Sequence, residues 1–128
     1  CPACVSHAVP QAERVHREYA EHGVSVIGLH TVFEHHAAMM PVALEAFLHE
    51  YRITHPVGVD VAVAGTPVPE TMNRYGMRGT PTLILIDRAG KLRLHEFGQI
   101  DDLRLGMMLG RLLAEGTASW RGDLRGQL

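Results

Sequence analysis

Apolar positions recur at three- and four-residue steps through Val5, Ala8, Val9, Ala12, Val15, Tyr19 and Ala20, which predicts an amphipathic helix that Gly23 ends. The next apolar run, Val24-Ser25-Val26-Ile27-Gly28-Leu29, is short, β-branched and nearly unbroken, so it is expected as a parallel strand buried on both faces. A polar loop from His30 to Met40 leads to Pro41, a residue suited to the first position of a helix. The stripe Val42, Leu44, Phe47, Leu48 and Tyr51 carries that helix to about Arg52, and Thr54-His55-Pro56 breaks it because the residue before proline is pushed toward extended backbone. Val57 to Val63 reads as a short extended segment, Gly65 to Pro69 as a loop, and Glu70 to Tyr75 as one or two helical turns closed by Gly76.

Thr82-Leu83-Ile84-Leu85-Ile86 is a second buried strand, followed by a turn at Asp87 to Gly90. Lys91 to Phe97 alternates with period two, so it is expected as an antiparallel edge partner with one wet face. A final helix is expected from Asp101 to Ala114, with Leu103, Met107, Leu109 or Met108, Leu112 and Leu113 facing inward and Asp101 and Asp102 at its positive end. The Gly-rich stretch 116–128 is expected to be a flexible tail, which leaves residues 1–115 as the folded domain.

At 128 residues the chain suffices for one compact domain with a real core. Apolar residues make up 46%, charged residues 20%, and the net charge is -2, a globular composition that points to no nucleic acid or other strongly charged partner. No apolar run approaches the roughly 18 residues of a membrane span. No leader is visible, and an abrupt start at Cys1 says nothing about export. Two cysteines cannot form a disulfide framework, so the compartment stays open.

Those two cysteines carry the chemistry. In Cys1-Pro2-Ala3-Cys4 at the start of a helix, Cys4 falls one turn after Cys1 on the same side, and the sulfurs can close a small ring with little backbone movement. Exposed N–H groups and the positive helix end favour a thiolate, so Cys1 is the expected attacking thiol and the better shielded Cys4 the resolving thiol. Two other readings compete. His7, one turn beyond Cys4, could complete a three-ligand zinc face, and both cysteines could be inert buried residues.

CxxC at a helix start, then strand, helix, Gly79-Thr80-Pro81-Thr82 entering a strand, an Asp-x-x-Gly turn, a strand and a terminal helix resembles the thioredoxin-like superfamily. Within it the chain is most similar to the bacterial TlpA-like redoxins, which the run from Tyr75 to Lys91 matches closely. The resemblance covers residues 1–115 and implies an α/β three-layer sandwich with a mixed sheet. It further implies a thiol-disulfide oxidoreductase, acting on protein disulfides in the reducing direction with an upstream electron donor and no cofactor. In the family the proline of the Thr-Pro segment is cis and presents backbone to the substrate, a role the resemblance carries to Thr80 and Pro81.

Two departures stand out. The family's helix proline comes eight residues after the first cysteine; Pro10 comes nine after Cys1, so one residue is inserted and a kink is expected near Ala8 to Pro10. The family's central strand, which precedes the CxxC, is absent, leaving a slot between the strand ending at Leu29 and the strand beginning at Thr82. Unpaired buried backbone is costly, so the chain is expected to be a piece of a longer protein, to pair the two strands directly, or to dimerise through the slot.

His30, Glu34 and His35 follow a parallel strand and are expected at the carboxyl edge of the sheet, where they could tune the thiolate or bind copper or zinc; an ordinary wet loop is the alternative. His16, His22, His49, His55 and His95 are scattered and read as surface or partly buried polar residues. Besides the reductase, the pattern leaves a peroxiredoxin-like peroxidase and a Cys/His metal-binding module as alternatives.

Overall fold

The structure, a computed structural model, describes the backbone of residues 1–127 and the side chains of residues 1–115. The described residues form two compact units, one of residues 1–8 with the chain from Gly79 onward and one of residues 9–78.

In the first unit Cys1 precedes a helical turn that opens at Pro2 and continues as a π-helix over Cys4–Ala8. A π turn holds one residue more than an α turn. The inserted residue ahead of Pro10 is thus taken up as a widened turn over Cys4–Ala8, upstream of the expected kink. The strands of this unit lie where the sequence pattern places them. Strand β3 (Thr82–Ile86) pairs antiparallel with β4 (Leu92–Phe97), with an irregularity between Leu85 and Ile86. However, β3 is half-buried with Ile86 exposed, and β4 does not alternate, since Leu92 and Phe97 are both exposed. The turn between them is closed by the Asp87 carboxylate, whose Oδ1 accepts the N–H groups of Ala89 and Lys91 at 2.9 Å each. Those bonds, with Lys91 first, hold Asp87 below the usual carboxylate range.

Helix α4 (Asp102–Gln127) is capped by Asp101, whose Oδ1 accepts the N–H groups of Leu103 at 2.9 Å and Arg104 at 3.3 Å. Its inward face agrees with the expected one at buried Leu109 and half-buried Leu112 and Leu113, and differs in its first turns. Leu105 and Leu109 are buried, whereas Leu103 is 84% and Met107 60% exposed, so the stripe runs through 105 and 109. Both stripes satisfy the helical period, and the sequence alone does not choose between them. The stretch expected as a tail, 116–128, falls where side chains, and at Leu128 the backbone, lie outside the described residues.

The second unit begins with α1 (Val9–Tyr19) and a short 3-10 turn, Ala20–His22, ended by Gly23 in the left-handed region at φ 96°. Strand β1 covers Gly28–His30 alone, shorter than the expected Val24 to Leu29, and pairs parallel with β2 (Val57–Val59). The Val24 N–H donates back to the Tyr19 carbonyl at 3.1 Å, and Ile27 is 73% exposed, so the apolar run is not buried on both faces. Helix α2 (Pro41–Glu50) starts at its proline as expected; Leu44, Phe47 and Leu48 are half-buried, but Val42 and Tyr51 are exposed. Helix α3 (Glu70–Arg74) is followed by Gly76 at φ 61°.

Two buried carboxylates hold this unit together. Asp60 directly follows β2 and accepts the N–H groups of Val61, Thr71 and Met72, each at 2.9 Å, together with the Thr31 hydroxyl at 3.2 Å. Burial raises its pKa, but the backbone donors, Thr71 and Met72 foremost, outweigh that and hold it below the ordinary value. Glu13 on α1 accepts the Thr54 N–H and hydroxyl, the His55 N–H, and the His55 Nδ1–H at 2.6 Å. His55 is therefore a core residue, 6% exposed, not the surface or partly buried residue expected from its scattered position.

The sheets are β1-β2 and β3-β4, so the strands expected to flank the absent one share no ladder. Among the described residues, β1 and β3 each have a ladder partner on one side only.

Candidate redox site

Cys1 and Cys4 form a disulfide with Cα atoms 5.2 Å apart, within the ordinary range for such a bridge. The local sequence explains the geometry. Pro2 is suited to the first helical position because it has no N–H to leave unpaired, and the Val5 N–H donates to the Cys1 carbonyl at 3.1 Å. Cys1 thus occupies the cap, and the N–H of Cys4 points back at the Cys1 sulfur, 3.2 Å away. Cys1 is exposed; Cys4 is half-buried.

The segment Gly79-Thr80-Pro81-Thr82 completes the site. The Thr80–Pro81 peptide bond is cis, as the resemblance implied. The Thr80 carbonyl oxygen lies 3.5 Å from the Cys1 sulfur, so residues 79 positions apart in sequence meet. Three contacts fix this loop. The Thr82 hydroxyl donates to the Gly79 carbonyl at 2.7 Å, and the Gly98 N–H donates to the Pro81 carbonyl at 2.8 Å. A methyl group at Gly79 would sit 3.1 Å from the Phe97 ring, so the ring and the loop approach as closely as a glycine permits.

His7 does not turn toward the sulfurs as a metal ligand. Its Nε2 bonds the carbonyl of Ile100 at 2.9 Å. No group of three or more His, Cys, Asp or Glu side chains among the described residues is arranged to hold a metal ion. His30, Glu34 and His35 belong to the unit of residues 9–78, and Cys1 to the other. Within that unit the His30 Nε2 bonds the Met39 carbonyl at 3.1 Å, Glu34 and His35 are exposed, and His35 adopts a left-handed backbone at φ 51°. A cleft of about 240 Å³ bordered by Val9, Pro10, Arg14 and Tyr51 includes neither cysteine. No helix among the described residues is long and apolar enough to cross a membrane.

Sequence reasoning missed three structural anchors: Glu13, Asp60 and the burial of His55. No local signal marked any of them, since Asp60 lies too far before the helix start at Glu70 to read as its cap.

No protein-family model matches the chain. The thiol-disulfide oxidoreductase ResA of Halalkalibacterium halodurans is 26% identical over 104 residues, which are 80% of this chain and 52% of that protein. The chain therefore spans about half the length of that relative. A solved thiol-disulfide isomerase from Corynebacterium glutamicum is 52% identical with a TM-score of 0.86, over 88% of this chain and 73% of its own. A solved thioredoxin-like superfamily protein is 55% identical with a TM-score of 0.84, over the same 88% and 73%. With the CxxC disulfide and the cis Thr80–Pro81 bond beside it, these likenesses settle the family: the chain belongs to the thioredoxin-like thiol-disulfide oxidoreductases and is related to the TlpA- and ResA-like redoxins.

Proposed function

We propose that the chain uses Cys1 and Cys4 as a redox dithiol to reduce disulfides in protein substrates, with Cys1 attacking and Cys4 resolving. The observation that carries this reading is the Cys4 N–H aimed at the exposed Cys1 sulfur from 3.2 Å. A backbone donor at the positive end of a helix stabilises a thiolate over a thiol, which makes that sulfur the better nucleophile near neutral pH.

In the reduced protein the Cys1 thiolate attacks one sulfur of the substrate disulfide. An S–S bond forms between Cys1 and the substrate as the substrate's own S–S bond breaks, and one substrate thiolate leaves. Cys4, having lost its proton, then attacks the Cys1 sulfur, closing the Cys1–Cys4 bridge and expelling the second substrate thiolate. Two electrons pass to the substrate, whose thiolates take up two protons. An external dithiol donor restores the reduced form. Thr80 and Pro81 act here as the backbone platform beside the reacting sulfur, a role supported by the 3.5 Å approach of the Thr80 carbonyl.

The Corynebacterium glutamicum neighbour is a thiol-disulfide isomerase, which gives a second reading on the same chemistry. In isomerisation a substrate thiol, rather than Cys4, attacks the mixed disulfide, and no net electrons are transferred. Reduction of insulin by a dithiol donor decides between them. The reductase reading expects turnover that is abolished in Cys1→Ser and reduced to a stalled mixed disulfide in Cys4→Ser. Refolding of scrambled ribonuclease that survives Cys4→Ser favours isomerisation instead.

A further inference from the structure

We infer that His7 is a positioning residue that holds the CxxC turn in register with the Thr80–Pro81 loop; this rests on the dithiol reading above. The inference follows a closed circuit of contacts within one unit. From the π turn of the CxxC helix, the His7 Nε2 donates to the Ile100 carbonyl at 2.9 Å. Two residues earlier in the same segment, the Gly98 N–H donates to the Pro81 carbonyl at 2.8 Å. Pro81 is joined by its cis bond to Thr80, whose carbonyl lies 3.5 Å from the Cys1 sulfur, and the Cys4 N–H returns to that sulfur at 3.2 Å.

Segment 98–100 thus grips both halves of the site, the loop through Gly98 and the helix through His7. The grip is firm at its centre, because Ile100 is 2% exposed and anchored in the core. The helix side includes a side chain: the π turn widens the helix over Cys4–Ala8, and from that turn His7 bonds the segment that steadies the loop. Both the neutral Nε2–H tautomer and the imidazolium can donate this bond, so the tie does not depend on the proton at Nδ1.

A substrate bound along the loop must meet the Cys1 sulfur in line for exchange, and a misplacement of about 1 Å can cost on the order of 10²-fold in rate. Losing the tie lets the sulfur and the loop move relative to each other while leaving the Cys4 N–H on the Cys1 sulfur. His7→Phe keeps the ring volume and deletes the donor; His7→Gln places an amide N–H near the position of Nε2. The assay is steady-state insulin reduction, paired with the rate of Cys1 alkylation by iodoacetamide across pH in the reduced protein. The expected result is a fall in kcat/KM of about tenfold in His7→Phe, the size of one hydrogen bond, with recovery to within about threefold in His7→Gln. The alkylation profile stays that of wild type in both. Wild-type kcat/KM in His7→Phe overturns the inference. So does a His7→Gln variant as impaired as His7→Phe, or an alkylation rate that falls in step with turnover. Loss of turnover in Cys1→Ser alongside a normal His7→Phe refutes the positioning role while leaving the dithiol reading standing.

Discussion

Glu13→Gln probes how much of the fold depends on one carboxylate. Glu13 is 6% exposed, and its pKa lies at about 2 against an ordinary 4.5. Burial by itself raises the value, and the donors from the Thr54 hydroxyl, His55 and the two backbone N–H groups outweigh it. A depression of this size corresponds to about 3 kcal/mol favouring the charged form in the folded state, at about 1.4 kcal/mol per pH unit. The folded pKa is below the unfolded one, so the stabilisation is fully present above about pH 4.5 and is lost as pH falls toward 2. Linkage puts the loss at about 2 kcal/mol by pH 3. Glutamine keeps one acceptor, but its amide faces donors it cannot satisfy. Urea unfolding at pH 7 and pH 3 should therefore show a deficit of about 3 kcal/mol in Glu13→Gln at pH 7, narrowing by about 2 kcal/mol at pH 3. A variant within 1 kcal/mol of wild type at pH 7, or a deficit equal at both pH values, refutes the assignment of the carboxylate as the anchor of Thr54 and His55.

Asp60→Ala should destabilise by about 2 to 3 kcal/mol, because the N–H groups of Thr71 and buried Met72 lose a charged acceptor; Asp60→Asn should lose less, and thermal unfolding of the two variants gives the order. Gly28→Ala puts a methyl 3.0 Å from the Val57 side chain and 3.3 Å from the His55 ring, and should cost about 1 to 3 kcal/mol in the same measurement. An unchanged midpoint in Gly28→Ala shows that β1 and β2 can part without loss.

The parts of the fold that the sequence reveals are those whose cause is local. Strand β3, the Asp87 turn, β4 and the Asp101 cap each follow from residues within a few positions of one another, and the Cys1–Cys4 pair from a three-residue spacing. The cis bond before Pro81 and its closeness to Cys1 came from resemblance, since no propensity predicts either. The anchors that sequence reasoning missed are long-range pairings of single polar residues. Glu13 meets Thr54 across 41 positions and Asp60 meets Thr71 across 11, and neither leaves a periodic trace. The length of β1 failed for a related reason. Apolar character in Val24 to Ile27 marks β propensity, but a strand ends where its partner does, and β2 offers three residues. The exposed Leu103 and Met107 show the same limit on a helix, where the period fixes a stripe's spacing without fixing which stripe faces the core.

The central claim is that Cys1 attacks and Cys4 resolves, and trapping tests it most directly. Reduced Cys4→Ser protein, mixed with a disulfide-bonded peptide and quenched in acid, should retain one peptide half by intact mass, mapped by digestion to Cys1 and released by dithiol. Reduced Cys1→Ser protein under the same conditions should accumulate far less adduct, because its remaining sulfur at Cys4 is half-buried. Equal trapping at the two positions, or an adduct that forms preferentially on Cys4, contradicts the account.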